Sequence, residues 1–189
     1  MKVVSVLSSH YPGSFTQALN DAFGSGLAEA GHELVTIDLY GERFDPVMNG
    51  ADFNQFQGGD LPEDVVRHHG LLADAGVLAF FYPVWWNDMP AIMKGWIDRI
   101  MAKGFAYDIV DGQKVGTFPV KKILLFCTLG NAAEDQHPGL EQAMRTKEEQ
   151  GVFAYTGCTE IDHHFLYNVN DKEQRPRYLE LARTVAAGL

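Results

Sequence analysis

Three loops of this sequence concentrate side chains that could hold a ligand. In the first, Ser9-His10-Tyr11-Pro12-Gly13-Ser14-Phe15-Thr16 follows the β-branched run Lys2 to Ser8 and opens a helical pattern. A helix start presents free N–H groups and a partial positive charge, so Gly13 to Thr16, with the hydroxyls of Ser14 and Thr16, could cradle a phosphate. Ser14 reads as well as an ordinary N-cap, and the residues alone leave both readings open. The second loop, Pro83-Val84-Trp85-Trp86-Asn87, ends the apolar run Gly76 to Phe81, and two adjacent tryptophans in a turn need a reason to be there. The third, Thr128-Leu129-Gly130-Asn131, closes the run from Lys121 to Thr128. All three sit at the carboxyl ends of expected strands, where open α/β sheets bind their ligands.

Other candidates for chemistry weaken on inspection. His68-His69 lies on an expected helix and His163-His164 on an expected strand. Neighbours on either element point in different directions and cannot share one metal, so both pairs read as solvated or capping histidines. Cys127 and Cys158 read as reduced, partly buried thiols. No Gly-x-Gly-x-x-Gly follows the first strand, which argues against a dinucleotide-binding fingerprint.

The elements that position these loops follow from periodicity. After Lys2 to Ser8, the residues Phe15, Ala18, Leu19, Ala22, Phe23 and Leu27 keep helical spacing up to Gly31, and Glu33 to Leu39 is a second strand. Tyr40 to Gly59 has no convincing period and reads as an ordered loop. Pro62-Glu63-Asp64 starts a helix that runs to Ala75. Gly76 to Phe81 is the third strand. From Met89, the residues Ile92, Met93, Trp96, Ile97, Ile100 and Met101 form one face of a helix, with Pro90 suited to its first turn. Asp111-Gly112 marks a hairpin-like excursion after Phe105-Ala106-Tyr107. Lys121 to Thr128 is the fourth strand, Pro138 to Gln150 a helix, Thr159 to Tyr167 the fifth strand, and Glu173 to Ala187 a closing helix.

The stretch Pro83-Val84-Trp85-Trp86-Asn87-Asp88-Met89-Pro90-Ala91-Ile92-Met93-Lys94-Gly95-Trp96 resembles the strand-loop-helix motif of the flavodoxin-like NAD(P)H:quinone oxidoreductases. That family includes mammalian quinone reductase, smaller bacterial enzymes and potassium-efflux ancillary subunits. The resemblance implies a flavodoxin-like three-layer sandwich around a five-stranded parallel sheet of order 2-1-3-4-5, in one domain over residues 1–189. It also tips the first loop towards a flavin phosphate held by Ser14, Phe15 and Thr16, with Ser9 and His10 nearby. Pro83, Val84, Trp85, Trp86 and Asn87 would then meet the isoalloxazine ring. Thr128, Gly130 and Asn131 partly match a segment that meets its polar edge, although Leu129 and Asn131 depart from that motif. Tyr107 stands between a place in the substrate cavity and simple packing. His137 is the one nearby candidate to assist transfer; the residues by themselves read it as a loop histidine, and no tyrosine equivalent stands between Asn131 and Leu140.

From the resemblance we expect an enzyme that takes hydride from NADH or NADPH and passes electrons to a quinone or related acceptor. Chain length favours FMN over FAD. Donor and acceptor are expected to share one stacking surface flanked by Trp86, Asn87 and Tyr107. A homodimer is expected, its interface drawing on the Trp96, Ile97 and Met101 stripe, with burial inside the domain as the other reading of that stripe. A regulatory subunit of a potassium-efflux transporter and an electron-carrying flavodoxin are the rival readings.

The bulk numbers narrow the classes. At 189 residues, the chain is long enough to bury about 70% of its unfolded surface. The formal charge of −10, with no Lys/Arg run longer than a pair, argues against a nucleic-acid partner. No stretch approaches a membrane-spanning length and no secretory signal opens the chain, so a cytoplasmic location is expected.

Overall fold

After Lys2, all five remaining residues of β1 (Lys2–Leu7) are buried, which places this strand inside a sheet covered on both faces. The computed structural model describes residues 1–57 and 59–189. In chain order it contains α1 (Phe15–Glu29), β2 (Glu33–Asp38), α2 (Glu63–Leu72), β3 (Val77–Pro83), α3 (Ala91–Ile100), β4 (Tyr107–Val110), β5 (Gln113–Gly116), β6 (Lys122–Thr128), α4 (Leu140–Arg145), β7 (Glu160–Leu166) and α5 (Arg175–Ala187). Five strands form a sheet of order β2-β1-β3-β6-β7, every neighbour parallel. The expected numbering 2-1-3-4-5 counted parallel strands alone. The excursion after α3 is a true antiparallel hairpin, β4 with β5, and its two strands advance the numbering of those that follow.

Side chains of each strand alternate between two cores, as a period of two requires. Val3, Leu7, Val77, Ala79, Phe81, Leu124 and Phe126 pack with Leu19, Phe23 and Leu27 of α1 and Ala182 and Ala186 of α5. Val4, Val6, Leu78, Phe80, Tyr82, Leu125 and Cys127 face the other way, onto Val65 and Leu72 of α2 and Met93, Trp96, Ile97 and Ile100 of α3.

The motif around α3 is largely structural. A Cβ on Gly95 would lie 2.3 Å from the Pro46 carbonyl oxygen, so glycine is what lets the segment after β2 lie against the helix. Trp96 is fully buried, which decides the stripe in favour of burial within the domain. Lys94 pairs with Asp98 on the outer face at 2.5 Å.

Several expectations need correction. The stretch from Tyr40 to Gly59 holds a 3-10 helix over Gly50–Gln57, and Gly58 lies outside the described residues. Arg99 is buried and holds that stretch in place through Asp52 at 2.9 Å, Asp64 at 2.6 Å and the Asp45 carbonyl at 2.9 Å. The helix expected from Pro138 to Gln150 starts as α4 but continues as a π-helix over Thr146–Phe153.

The histidine pairs are not solvated. Trp96 Nε1 donates to His68 Nδ1 at 3.1 Å, and an indole nitrogen can only donate, so the neutral ring carries its proton on Nε2, 3.0 Å from Glu42. His69 stacks on Phe105 and bonds the Ile100 carbonyl at 2.8 Å. Burial lowers the pKa of both. His164 stacks on Phe126, and His163 is buried beside Cys127. These side chains look polar in the sequence but find their partners on distant elements.

Candidate functional site

The three loops converge above the carboxyl edge of the sheet. Ser14 caps α1, its hydroxyl accepting from Gln17 N at 3.1 Å, so the N-cap reading holds. The same hydroxyl lies 2.6 Å from Ser9 Oγ, and Gly13 N donates to Gln17 Oε1 at 2.9 Å. These bonds fold the first loop into a buried knot of hydroxyls in front of the helix. No acidic residue lies in the first turn of α1, where the helix presents its positive end.

Thr16 and Thr128 hydroxyls meet at 3.2 Å, tying the first loop to the third. Val84 N donates to the Thr128 carbonyl at 2.8 Å, tying the second loop to the third. His10 packs edge-on against Trp85 with ring centres 5.3 Å apart, closing the circle. Phe15 is half-buried, with the Arg175 guanidinium 5.1 Å above its ring.

The second loop is a tight turn. Trp85 and Asp88 exchange both backbone hydrogen bonds, at 2.9 and 3.1 Å. Between them, Trp86 and Asn87 adopt φ of 54° and 58°, the left-handed pattern of a type I′ turn. Such a conformation costs a bulky residue about 1–3 kcal/mol and persists where the surroundings enforce it, commonly at ligand clamps. Trp86 is 99% exposed. The turn therefore lifts a large aromatic ring off the protein, while the fold stabilises nothing by burying it. Pro83 closes β3 and is half-buried, like Val84.

Gly130 and Asn131 are exposed on the third loop. Gln136, which the sequence reading passed over, receives Asn131 Nδ2 at 3.0 Å and donates to Asn87 Oδ1 at 3.2 Å. It joins the second and third loops from a stretch without periodicity, so only the tertiary structure exposes its role. Asn170, also missed, reaches the Gly130 carbonyl at 3.4 Å.

The two residues expected to assist transfer stand outside the three loops in the chain. Tyr107 packs against the core, with the Tyr155 ring 5.6 Å away and Gly116 as strand partner. His137 is exposed in the turn before α4, its carbonyl accepting from Leu140 N at 3.1 Å.

The site suits an anionic, planar group. Ser8 Oγ, at the head of the first loop, is buried with no hydrogen-bond partner among the described residues, so a hydroxyl stands ready for an acceptor. Beside this loop, Ser9, His10, Tyr11, Gln17, Asp38 and Tyr40 line a concavity of about 260 Å³. The hydroxyls of the first loop and the free N–H groups at the start of α1 fit a phosphate group.

The family model of the flavodoxin-like fold matches residues 1–187, and the chain belongs to that family. An NAD(P)H oxidoreductase of Haemophilus influenzae is 28% identical over 172 residues, covering 89% of this chain and 85% of the relative. NAD(P)H dehydrogenase [quinone] 1 of Rattus norvegicus is 30% identical, covering 82% of this chain but 65% of its own length. Among solved structures, an NAD(P)H:quinone oxidoreductase from Methanothermobacter marburgensis superposes with a TM-score of 0.91 at 30% identity, covering 99% of this chain and 98% of that one. An FMN-dependent NADH-azoreductase from Bacillus anthracis, solved with FMN, shares the fold with a TM-score of 0.75 at 14% identity.

Proposed function

We propose that residues 1–189 form one flavin-binding domain of an NAD(P)H oxidoreductase whose acceptor is a quinone or a related compound. The observation that carries this reading is Trp86, wholly exposed and held in a left-handed turn beside the buried hydroxyls of the first loop. A bound flavin would supply two-electron redox chemistry between a reduced nicotinamide and the acceptor.

The protein's part is binding and orientation. Ser14, Phe15 and Thr16, with Ser8, Ser9 and His10, would take the phosphate through hydroxyls and the N–H groups of α1. Pro83, Val84, Trp85, Trp86 and Asn87 would flank the ring, and Thr128, Gly130 and Asn131 would offer hydroxyl and backbone groups to its polar edge. Gln136 fixes Asn87 relative to Asn131, so the two loops keep one spacing. Trp86 offers an aromatic face on which a nicotinamide or quinone ring would stack. Tyr107 would border the cavity, and His137, next to Gln136, would assist transfer.

FMN is the proposed flavin. An FMN-dependent NADH-azoreductase with the same fold, solved with FMN, supports it. A homodimer is proposed as well, now on different residues. Trp96 and Ile97 are buried and leave the argument, whereas Phe53, Phe56, Ile109, Val110 and Tyr155 are exposed apolar groups awaiting cover. Among the described residues, no helix is long and apolar enough to cross a membrane, which suits the proposed cytoplasmic location. The relatives' activities favour neither the transporter subunit nor the electron carrier.

The test is anaerobic reduction of the purified flavoprotein by NADPH and by NADH, followed by a quinone. Bleaching by nicotinamide without an added reductase supports the proposal, and its absence with both donors overturns it. Initial rates at several fixed quinone concentrations should give parallel double-reciprocal lines, because one stacking surface forces the oxidised nicotinamide to leave first. Chromatography of the flavin released on denaturation separates FMN from FAD. Light scattering at micromolar concentration reads the oligomer.

A further inference from the structure

On the sheet face opposite α1 and α5, four polar side chains converge in the core. Tyr82 of β3 and Cys127 of β6 are register partners, and His163 of β7 stands on the same face two residues before Phe165, the partner of Cys127. The π-helix Thr146–Phe153 covers them and inserts Glu148. Cys127 Sγ lies 3.0 Å from His163 Nε2, and that nitrogen lies 3.4 Å from Glu148 Oε2. All three side chains are buried, and one ligand atom from each lies within 4.8 Å of the other two.

We propose that Cys127, Glu148 and His163 bind a zinc ion in a closed site that clips the sheet to the π-helix. The donor set selects the ion. A thiolate, an imidazole and a carboxylate in a compact, water-excluded arrangement suit zinc, whereas magnesium and calcium take oxygen alone. Tetrahedral bonds of about 2.3 Å to sulfur and 2.0 Å to nitrogen place those two atoms roughly 3.5 Å apart. The observed 3.0 Å asks the side chains to part by only about half an ångström.

The surroundings are those of a ligand set rather than of four isolated polar groups. His163 turns its other nitrogen, Nδ1, to Glu149 Oε1 at 3.2 Å, and Arg145 holds that carboxylate at 3.2 Å. A carboxylate behind the far nitrogen of a metal-binding histidine fixes the tautomer and aims the lone pair of Nε2 inward. Tyr82 donates its hydroxyl to Glu148 Oε2 at 2.6 Å, orienting the carboxylate from behind. The second oxygen, Glu148 Oε1, is buried, with the Lys147 ammonium 3.5 Å away as its one ion-pair partner. A bidentate carboxylate would bring this oxygen to the ion as the fourth donor. Adjacent residues on an α-helix diverge, yet Glu148 and Glu149 serve the two nitrogens of one ring. The π-helical stretch lets them do so, and such stretches gather at functional sites.

The competing reading is a metal-free hydrogen-bond network, with a protonated Glu148 receiving Tyr82 and a thiol donating to the Tyr82 oxygen at 3.0 Å. Burial is the first cause that raises the pKa of both Cys127 and Glu148, so zinc binding would release their protons. The site stands apart from the proposed flavin chemistry, and its test needs no activity.

The experiment uses the flavin-loaded protein purified without chelators. Mass-spectrometric metal analysis should find one zinc per chain. After removal by a chelator, titration with cobalt(II) should restore one equivalent and give the thiolate-to-cobalt charge-transfer band with the intense visible bands of a tetrahedral ion. Cys127→Ser should abolish the charge-transfer band, while Cys158→Ser, the other buried cysteine, should keep it. Glu149→Gln should keep the band but weaken cobalt and zinc binding 10- to 100-fold, the usual effect of losing an outer partner. If Cys127→Ser fails to fold, the wild-type spectrum with and without prior zinc decides, since zinc must block the cobalt band. A wild-type chain that takes up cobalt with no charge-transfer band, takes up none, or binds zinc equally well as the Cys127→Ser variant, overturns the proposal.

Discussion

Trp86 and Trp96 stand ten positions apart in one strand-loop-helix, and the fold treats them in opposite ways. Trp96 has no exposed surface, packs edge-on against Phe80 at 5.8 Å and donates its indole proton to His68. Trp86 is 99% exposed and sits where the backbone itself is strained. The first is held by everything around it. The second makes sense only with something laid against it. A motif therefore mixes two kinds of residue: Gly95, Trp96 and Arg99 build the fold, while Trp85, Trp86 and Asn87 face outward from it. Chemistry should follow the second group and stability the first.

The comparison breaks most easily at Trp96. Trp96→Ala empties a core position and leaves His68 Nδ1 without its donor, so thermal or urea unfolding should show a loss of about 3–5 kcal/mol. A loss below about 1 kcal/mol would mean that the α3 core is not closed around this ring. Arg99→Met tests the other structural anchor. The guanidinium is buried, its Nε and Nη1 bonding Asp52 and Asp64, with the Phe44 ring 5.2 Å away. Breaking a buried pair of this kind should cost about 3 kcal/mol in urea unfolding. Proteolysis should also begin to cut the stretch from 44 to 59 in the native state.

Trp86→Ala should do the reverse. Its stability should remain within about 0.5 kcal/mol of the parent, as expected for a side chain that buries nothing. Both half-reactions should slow together, by about tenfold if one aromatic contact of roughly 1.4 kcal/mol is lost in each. Stopped-flow measurement of reduction and reoxidation separates the two. A variant that slowed one half-reaction alone would place the two substrates on different surfaces.

The smallest effect concerns pH. His68 is buried with its pKa below 6.5, desolvation being the largest cause, while Glu42 and Asp64 oppose that shift and Arg67 adds to it. A histidine kept neutral in the folded chain binds fewer protons than the unfolded one between the two pKa values. Its stabilisation is therefore full above about 6.5 and falls as pH drops through that window. His68→Gln can still accept from Trp96 and donate to Glu42 but does not titrate. Urea midpoints at pH 7.5 and 5.5 should lie closer together in this variant than in the parent. His69, His163 and His164, also lowered by burial, retain the rest of the slope.

Periodicity by itself determined the alternation of strands and helices, the hairpin after α3 and the three loops at strand ends. Each of those signals is local: a run of apolar residues, a 3.6-residue spacing, a Gly or Pro at a boundary. The long motif around Trp85 to Trp96 added the family, and the hydroxyls of Ser14 and Thr16 marked the first loop. Only the tertiary structure decided which polar residues are buried. His68 finds its donor in Trp96, Arg99 finds Asp52, and Cys127 finds His163, each from a separate element. The sequence reading left His68 and His163 in water because a polar side chain without a nearby partner belongs there. Packing brought those partners from 28 and 36 positions away. The same holds for the two tryptophans: residue type says that both rings gain from burial, and only the path of the backbone decides which one obtains it.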